Sequence, residues 1–262
     1  MNKRLGIAIL AIGVSIAGFS KIQTWNQRKI VEPGSPVEQM DPTSVDSFSI
    51  RAWMSIDDLD ETLAILETVF WDPRDSISLR KFIRKSDVLR GKSVLEIGTG
   101  SGLLSLCSLK AGARNVVATD VNPAAVRNAV FNSERLGLSE ALEVRLVPLD
   151  NTSAYSVIGP HEKFDVIISN PPWVNQTPKT IDEYALYDTN FALITSLLDE
   201  LPAHLNPGGT VLLAYGCVDA INTLKRETSE RGMFLTVHDT RKLDELPEEF
   251  LPGMLLEIRL TE

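Results

Sequence analysis

The sharpest chemistry in this chain sits at Asn170-Pro171-Pro172-Trp173, directly after an apolar run, Phe164-Asp-Val-Ile-Ile-Ser. Consecutive prolines remove two backbone donors and fix the chain. The Pro171 carbonyl is then held with no adjacent amide to occupy it. The Asn170 side chain offers a second acceptor oxygen. Two acceptors so placed can grip both hydrogens of a planar NH2 group, and Trp173 offers a flat face on which that group could stack. A nitrogen held this way keeps its lone pair turned toward a neighbouring electrophile. It needs no strong base before attack, so positioning carries the catalysis.

A second constellation starts at Ser93-Val-Leu-Glu-Ile-Gly-Thr-Gly-Ser-Gly102. An apolar, partly β-branched strand breaks into Gly98, Gly100 and Gly102, and a helical run follows. Strand, glycine turn and helix together bring bare backbone close to a nucleotide-like ligand. Asp120 closes the next strand, where a carboxylate can accept from ribose hydroxyls. Asp150 closes the one after and could accept from an exocyclic amine. Asn122-Pro123 begins a helix, with Asn122 the better cap, which leaves Asp120 for a ligand.

Elements in alternation position these residues. Strands are expected at 93–97, 115–120, 142–147, 164–169, 210–215, 233–237 and 254–260. Helices are expected at 102–111, 123–136, 190–205 and 220–231. Alternation of this kind makes an α/β fold, a parallel sheet covered on both faces, with ligands at the carboxyl ends of the strands. Ahead of it, 55–67 and 77–89 read as helices, so 51–92 is expected to be a helical extension and 93–262 the catalytic domain. Arg80, Lys81, Arg84 and Lys85 fall at helical spacing. They read either as a solvated face or as a patch for phosphate or an acidic substrate.

The first 22 residues read as a hydrophobic helix: Leu5 to Phe19 carries no charge and follows Lys3 and Arg4. A retained membrane anchor through residues 5–22 is favoured over a cleaved signal peptide, since the small-residue cleavage pattern is poor. Residues 23–50 are a proline-bearing linker. The chain of 262 residues has net charge −9, with 44% apolar and 23% charged residues. Residues 1–40 contribute +3, so the remaining 222 carry −12. So acidic a body is a poor non-specific binder of nucleic acid. Two cysteines, Cys107 and Cys217, form no disulfide framework, and with His161, His204 and His238 scattered no metal site is expected.

Glu96-Ile-Gly98-Thr99-Gly100-Ser-Gly102, Asp120-Val121-Asn122-Pro123 and Asn170-Pro-Pro-Trp173 together resemble the class I S-adenosylmethionine-dependent methyltransferases. Within them the chain is similar to the Asn-Pro-Pro-aromatic group, which includes release-factor glutamine-N5 and rRNA and tRNA base N-methyltransferases. Val69-Phe-Trp-Asp-Pro-Arg-Asp-Ser76 is similar to the segment before that group's first motif, and the resemblance spans roughly residues 66–262. It implies a Rossmann-like, three-layer, seven-stranded sheet with an antiparallel last hairpin. It implies that the cofactor lies along Glu96, Gly98, Thr99, Gly100, Gly102, Asp120, Val121, Asp150 and Asn170. Glu96 would anchor its amino-acid part and Asp120 its ribose, while Asn170 to Trp173 would hold the acceptor nitrogen. Trp173 departs from the group's usual Tyr or Phe, and the N-terminal anchor is not typical of it.

The function expected is therefore N-methylation of a planar amide or amine, on a protein glutamine or an RNA base, with the catalytic domain facing the cytosol or an organelle interior. The alternatives are a nicotinamide-dependent oxidoreductase and a non-catalytic membrane-tethered binding module. Gly-x-Gly-x-Gly in place of Gly-x-Gly-x-x-Gly argues against the first. The intact motifs argue against the second.

Overall fold

The structure, a computed structural model, describes residues 48–261. The hydrophobic segment 5–22 and nearly all of the linker lie outside these residues. Among the described residues no helix is long and apolar enough to cross a membrane.

A seven-stranded mixed sheet carries the molecule, in the order β5-β4-β3-β6-β7-β9-β8. Its strands are β3 (Ser93–Ile97), β4 (Asn115–Asp120), β5 (Leu142–Leu146), β6 (Phe164–Ser169), β7 (Leu205–Cys217), β8 (Phe234–Val237) and β9 (Glu249–Arg259). The five strands β3 to β7 run parallel to one another, and β9 runs antiparallel to both β7 and β8. This is the expected sheet with its reversed final strand. Residues of β3 alternate between two cores. Leu95 and Ile97 join Ile167, Val211 and Leu213 under α4 (Ala192–His204) and α5 (Val218–Glu230). Val94 joins Val166, Ile168 and Leu212 under α1 (Ile77–Lys85) and α2 (Leu103–Lys110). Burial on both faces is why these strands read as near-continuous apolar runs.

The segment expected to be a helical extension is different. Ile50–Ile56 (β1) and Glu61–Leu66 (β2) form an antiparallel hairpin, and only α1 is helical. Asp57, Asp58 and Asp60, which resemble a helical first turn, make the hairpin turn, with Asp60 at φ 56°. Tertiary context overrides local propensity here. Leu63, Ala64, Ile65 and Leu66 are all buried, and α3 (Pro123–Arg135) supplies the missing backbone partners. Asn132 Oδ1 accepts from the Ala64 N–H at 2.9 Å and Asn128 Oδ1 from the Leu66 N–H at 2.9 Å. Both Asn Nδ2 groups donate to the Ala64 carbonyl. Two buried asparagines thus satisfy a strand edge that would otherwise lie unpaired.

The basic stripe on α1 is also reapportioned. Arg80 turns inward, 4% exposed, and pairs with Asp58 while donating to the Pro73 carbonyl. Lys81, Arg84 and Lys85 stay exposed. The four cations do not form one outward face.

Candidate active site

At the carboxyl ends of β3, β4 and β6 lies a cavity of ≈ 290 Å³, near the lower end for small-molecule sites. One wall is the glycine bend. Gly98 and Gly100 hold φ of 76° and 56°, and a Cβ on either would project into open space. The Gly98 and Thr99 N–H groups both donate to the Thr119 carbonyl, at 2.9 and 3.0 Å. The bend is thereby clipped to the end of β4. Gly102, at φ 85°, does a different job: its Cβ would meet the Ala129 Cα at 3.0 Å. It lets α2 start against α3 and does not line the cavity, contrary to its expected cofactor contact.

Three carboxyls meet at the cavity, Glu96 and Asp75 buried and Asp120 half-buried. Glu96 is 1% exposed and accepts from the Thr99 and Ser105 hydroxyls. Burial pushes its pKa up to about 8 despite those hydrogen bonds. Asp120 accepts from the Gly100 N–H at 2.8 Å and the Asn122 N–H at 2.9 Å. Burial raises it to about 6. Asn122 caps α3 through Ala124, as expected, yet Asp120 is only partly freed: the backbone N–H groups of Gly100, Val121 and Asn122 all bear on its carboxyl. Val121 lines the same wall. Asp150 does not. It is exposed, and Val147 and Ala154 line the cavity beside it instead. The strand β5 ends at Leu146, leaving Asp150 in the loop beyond it.

The third carboxyl was not legible as a site residue. Asp75, in the loop before α1, is 6% exposed and accepts from Asn170 Nδ2 at 2.8 Å. Burial pushes its pKa to about 7. Asn170 Oδ1 is buried with no hydrogen-bond partner, as is the Trp71 Nε1 donor on the cavity wall. An unmatched buried acceptor costs about 1–3 kcal/mol unless something donates to it. Pro171 and Pro172 continue the wall from Asn170. Trp173 leaves it: its Nε1 donates to the Ala214 carbonyl at 3.2 Å, and its ring occupies the space beside Gly216. The indole braces the proline turn against β7. It is not the expected stacking face, and the aromatic rings at the cavity on this side are Tyr184 and Tyr187.

Five acids line the cavity (Asp72, Asp75, Glu96, Asp120, Asp188), and among the described residues no Lys, Arg or His does. No group of His, Cys, Asp and Glu among them could hold a metal ion. Cys107 is pushed up to about 12 and Cys217 to about 11 by burial, which keeps both as thiols.

A putative protein N5-glutamine methyltransferase of Methanocaldococcus jannaschii is 34% identical over 170 residues, covering 60% of this chain and 79% of that one. The chain belongs to the S-adenosylmethionine-dependent methyltransferases. The model of the ribosomal protein L11 methyltransferase family matches residues 75–171. A release factor glutamine methyltransferase of Cereibacter sphaeroides is 33% identical over 136 residues, and this methyltransferase spans 46% of its length and 47% of its own. The fold is that of the T. thermophilus 16S rRNA N2 methyltransferase solved with AdoMet and guanosine, at TM-score 0.54, 19% identity and coverage of 80% of this chain and 50% of that one. The residues fit the cofactor. The open space beside Gly98 and Gly100 admits it, and five acids with no opposing cation suit a sulfonium and an ammonium.

Proposed function

We propose that this methyltransferase transfers the methyl group to a planar amide nitrogen, the side chain of a protein glutamine. The observation that carries this reading is Asn170 Oδ1, buried beside two prolines with no protein donor. Such an oxygen suits an acceptor N–H. Glu96 and Asp120 would hold the cofactor's amino-acid and ribose ends, with Gly98, Thr99, Gly100 and Val121 shaping the wall between them.

S-adenosylmethionine supplies an electrophilic methyl on a sulfonium that departs as a neutral thioether. Asn170 and the Pro171 carbonyl would accept from the acceptor NH2 and fix its lone pair toward that methyl. As the N–C bond forms, positive charge would grow on the nitrogen, and these two acceptors would stabilise it. The nitrogen then sheds one proton to water.

A protein acceptor is favoured over an RNA base on charge. A phosphodiester strand gains affinity from cations, whereas the cavity wall carries five acids and no cation among the described residues. The inward turn of Arg80 removes one of the four cations that would have favoured RNA. Named relatives that act on release factors and on protein L11 support the same side. Labelled-methyl transfer into a cell lysate, separated into protein and RNA, tests it. Label in protein, recovered as methylated glutamine, is expected. Label confined to RNA would overturn the proposed acceptor.

The membrane association of residues 5–22 belongs to the same proposal, with the domain on the side where the cofactor is made. A fusion reporter at Glu262 that reads as extracellular would contradict it.

A further inference from the structure

We infer that Asp75 is a positioning residue: it fixes which end of the Asn170 amide is offered to the acceptor. The inference rests on the acceptor-clamp reading above. An asparagine amide is nearly symmetric in shape, and only its hydrogen-bond partners decide which way it points. A carboxylate accepts and cannot donate. With Asp75 Oδ2 at 2.8 Å, Nδ2 must face Asp75, and Oδ1 is the atom left over. The reversed amide would set oxygen against oxygen and offer two donors to an acceptor that itself brings N–H. That orientation cannot hold an amide nitrogen.

Asp75 is delivered to this place from 95 residues away in sequence, and the fold takes care over it. The Gly253 N–H donates to the Asp75 carbonyl at 3.1 Å, and the Ser78 hydroxyl donates to the Gly253 carbonyl at 2.5 Å. A Cβ at Gly253 would sit 2.6 Å from the Asp75 carbonyl oxygen, so β9 and this loop are in backbone contact. Backbone and hydroxyl of Ser76 also favour the ionised carboxyl. Asp75 is thus surrounded by donors, and an amide in its place would bring a donor among them.

Protonation has the same consequence as amidation. Once Asp75 carries a proton it can donate to Oδ1 and release the amide to turn over. Burial brings the group to about 7, so this occurs within the working range. The charged neighbours are Asp72, which raises it further, and Arg74, which is committed to Asp72 at 2.9 Å. The groups that meet Asp75 from the packed elements are neutral, namely Asn170 after β6, the Gly253 backbone of β9, and Ser76 and Ser78 at the α1 start, while Glu96, Asp120 and Asp188 are the other acids on the cavity wall.

The test is kcat against pH for the wild type and Asp75→Asn, with cofactor affinity measured by calorimetry. Wild-type kcat should fall below pH 7 with unit slope. Asp75→Asn should lower kcat by ~10- to 100-fold, abolish that limb, and leave the S-adenosylmethionine Kd within about twofold. If Asp75→Asn does not fold, Asp75→Ala decides in its place: a folded Asp75→Ala enzyme with wild-type kcat overturns the inference. So does an Asp75→Asn enzyme with wild-type kcat and an unchanged limb. Asn170→Ala separates the two readings. If it is inactive while Asp75→Asn is normal, the clamp stands and only the role of Asp75 fails. If Asn170→Ala is fully active, the clamp itself fails.

Discussion

Glu96→Gln separates a carboxyl kept for a charged ligand from one that merely packs. Glu96 is 1% exposed, and burial holds it protonated up to about pH 8. In the unfolded chain it ionises near 4.5. Between these values the fold binds one proton more than the unfolded chain, so stability falls as pH rises through the window and levels off above about 8. The slope is about 1.4 kcal/mol per pH unit for one proton, so the change between pH 5 and 7 is on the order of 2–3 kcal/mol. Gln has no such proton. Near pH 7 it resembles the neutral acid and keeps the Thr99 and Ser105 hydroxyls as partners. Chemical denaturation of both proteins from pH 5 to 7, without cofactor, should therefore give curves that converge or cross by roughly that amount. The difference between the two removes the contribution of Asp75 and leaves, from Asp120, only its coupling to Glu96. The cofactor arm reads the other half. An ammonium beside Glu96 favours the carboxylate, and a charge-assisted hydrogen bond is worth about 1.5–3 kcal/mol. Glu96→Gln should weaken S-adenosylmethionine by ~10- to 150-fold. Parallel stability curves, or an unchanged Kd, would refute the reasoning.

Asp120→Ala removes both the carboxylate proposed for the ribose and the partner of the Gly100 N–H, and calorimetry should show the cofactor Kd rising ~10-fold or more. Gly102→Ala should cost about 1–3 kcal/mol in chemical denaturation, because Ala129 lies 3.0 Å from the added Cβ and φ is 85°. Its folded fraction should bind cofactor with wild-type Kd, since Gly102 does not line the cavity. Asn132→Ala should cost about 2–4 kcal/mol: it leaves the Ala64 N–H without its buried acceptor and empties a fully buried site. A urea midpoint within error of wild type would show that the hairpin does not depend on α3.

The sheet was legible because both of its faces are covered. The runs Val94-Leu-Glu-Ile97 and Val166-Ile-Ile168 are then short, largely apolar and rich in β-branched residues, and they end at glycine or Asn-Pro turns, which marks them as buried strands. The hairpin was not legible, since its edge is satisfied by Asn128 and Asn132, more than 60 residues on, and Glu61-Thr-Leu-Ala-Ile-Leu has no local mark against helix. At the site, Gly98, Gly100, Asp120 and Asn170 were readable because strand ends and tight turns leave local signatures. Asp75 was not: the stretch Val69 to Ser76 resembles the segment before the group's first motif, but nothing in it singles out one carboxyl, and only the contact with Asn170 gives Asp75 a role. Trp173 misled for a related reason. Its place after the prolines suggested a platform, while the absence of a side chain at Gly216 opens a slot on β7 that takes the ring.

Single-turnover methyl transfer by Asn170→Ala, alongside its cofactor affinity, tests the acceptor clamp most directly. Loss of transfer with an S-adenosylmethionine Kd near that of the wild type is expected, because the proposed role of Oδ1 is toward the acceptor nitrogen and not the cofactor. Transfer at the wild-type rate would contradict it, and so would a loss traced wholly to weakened cofactor binding.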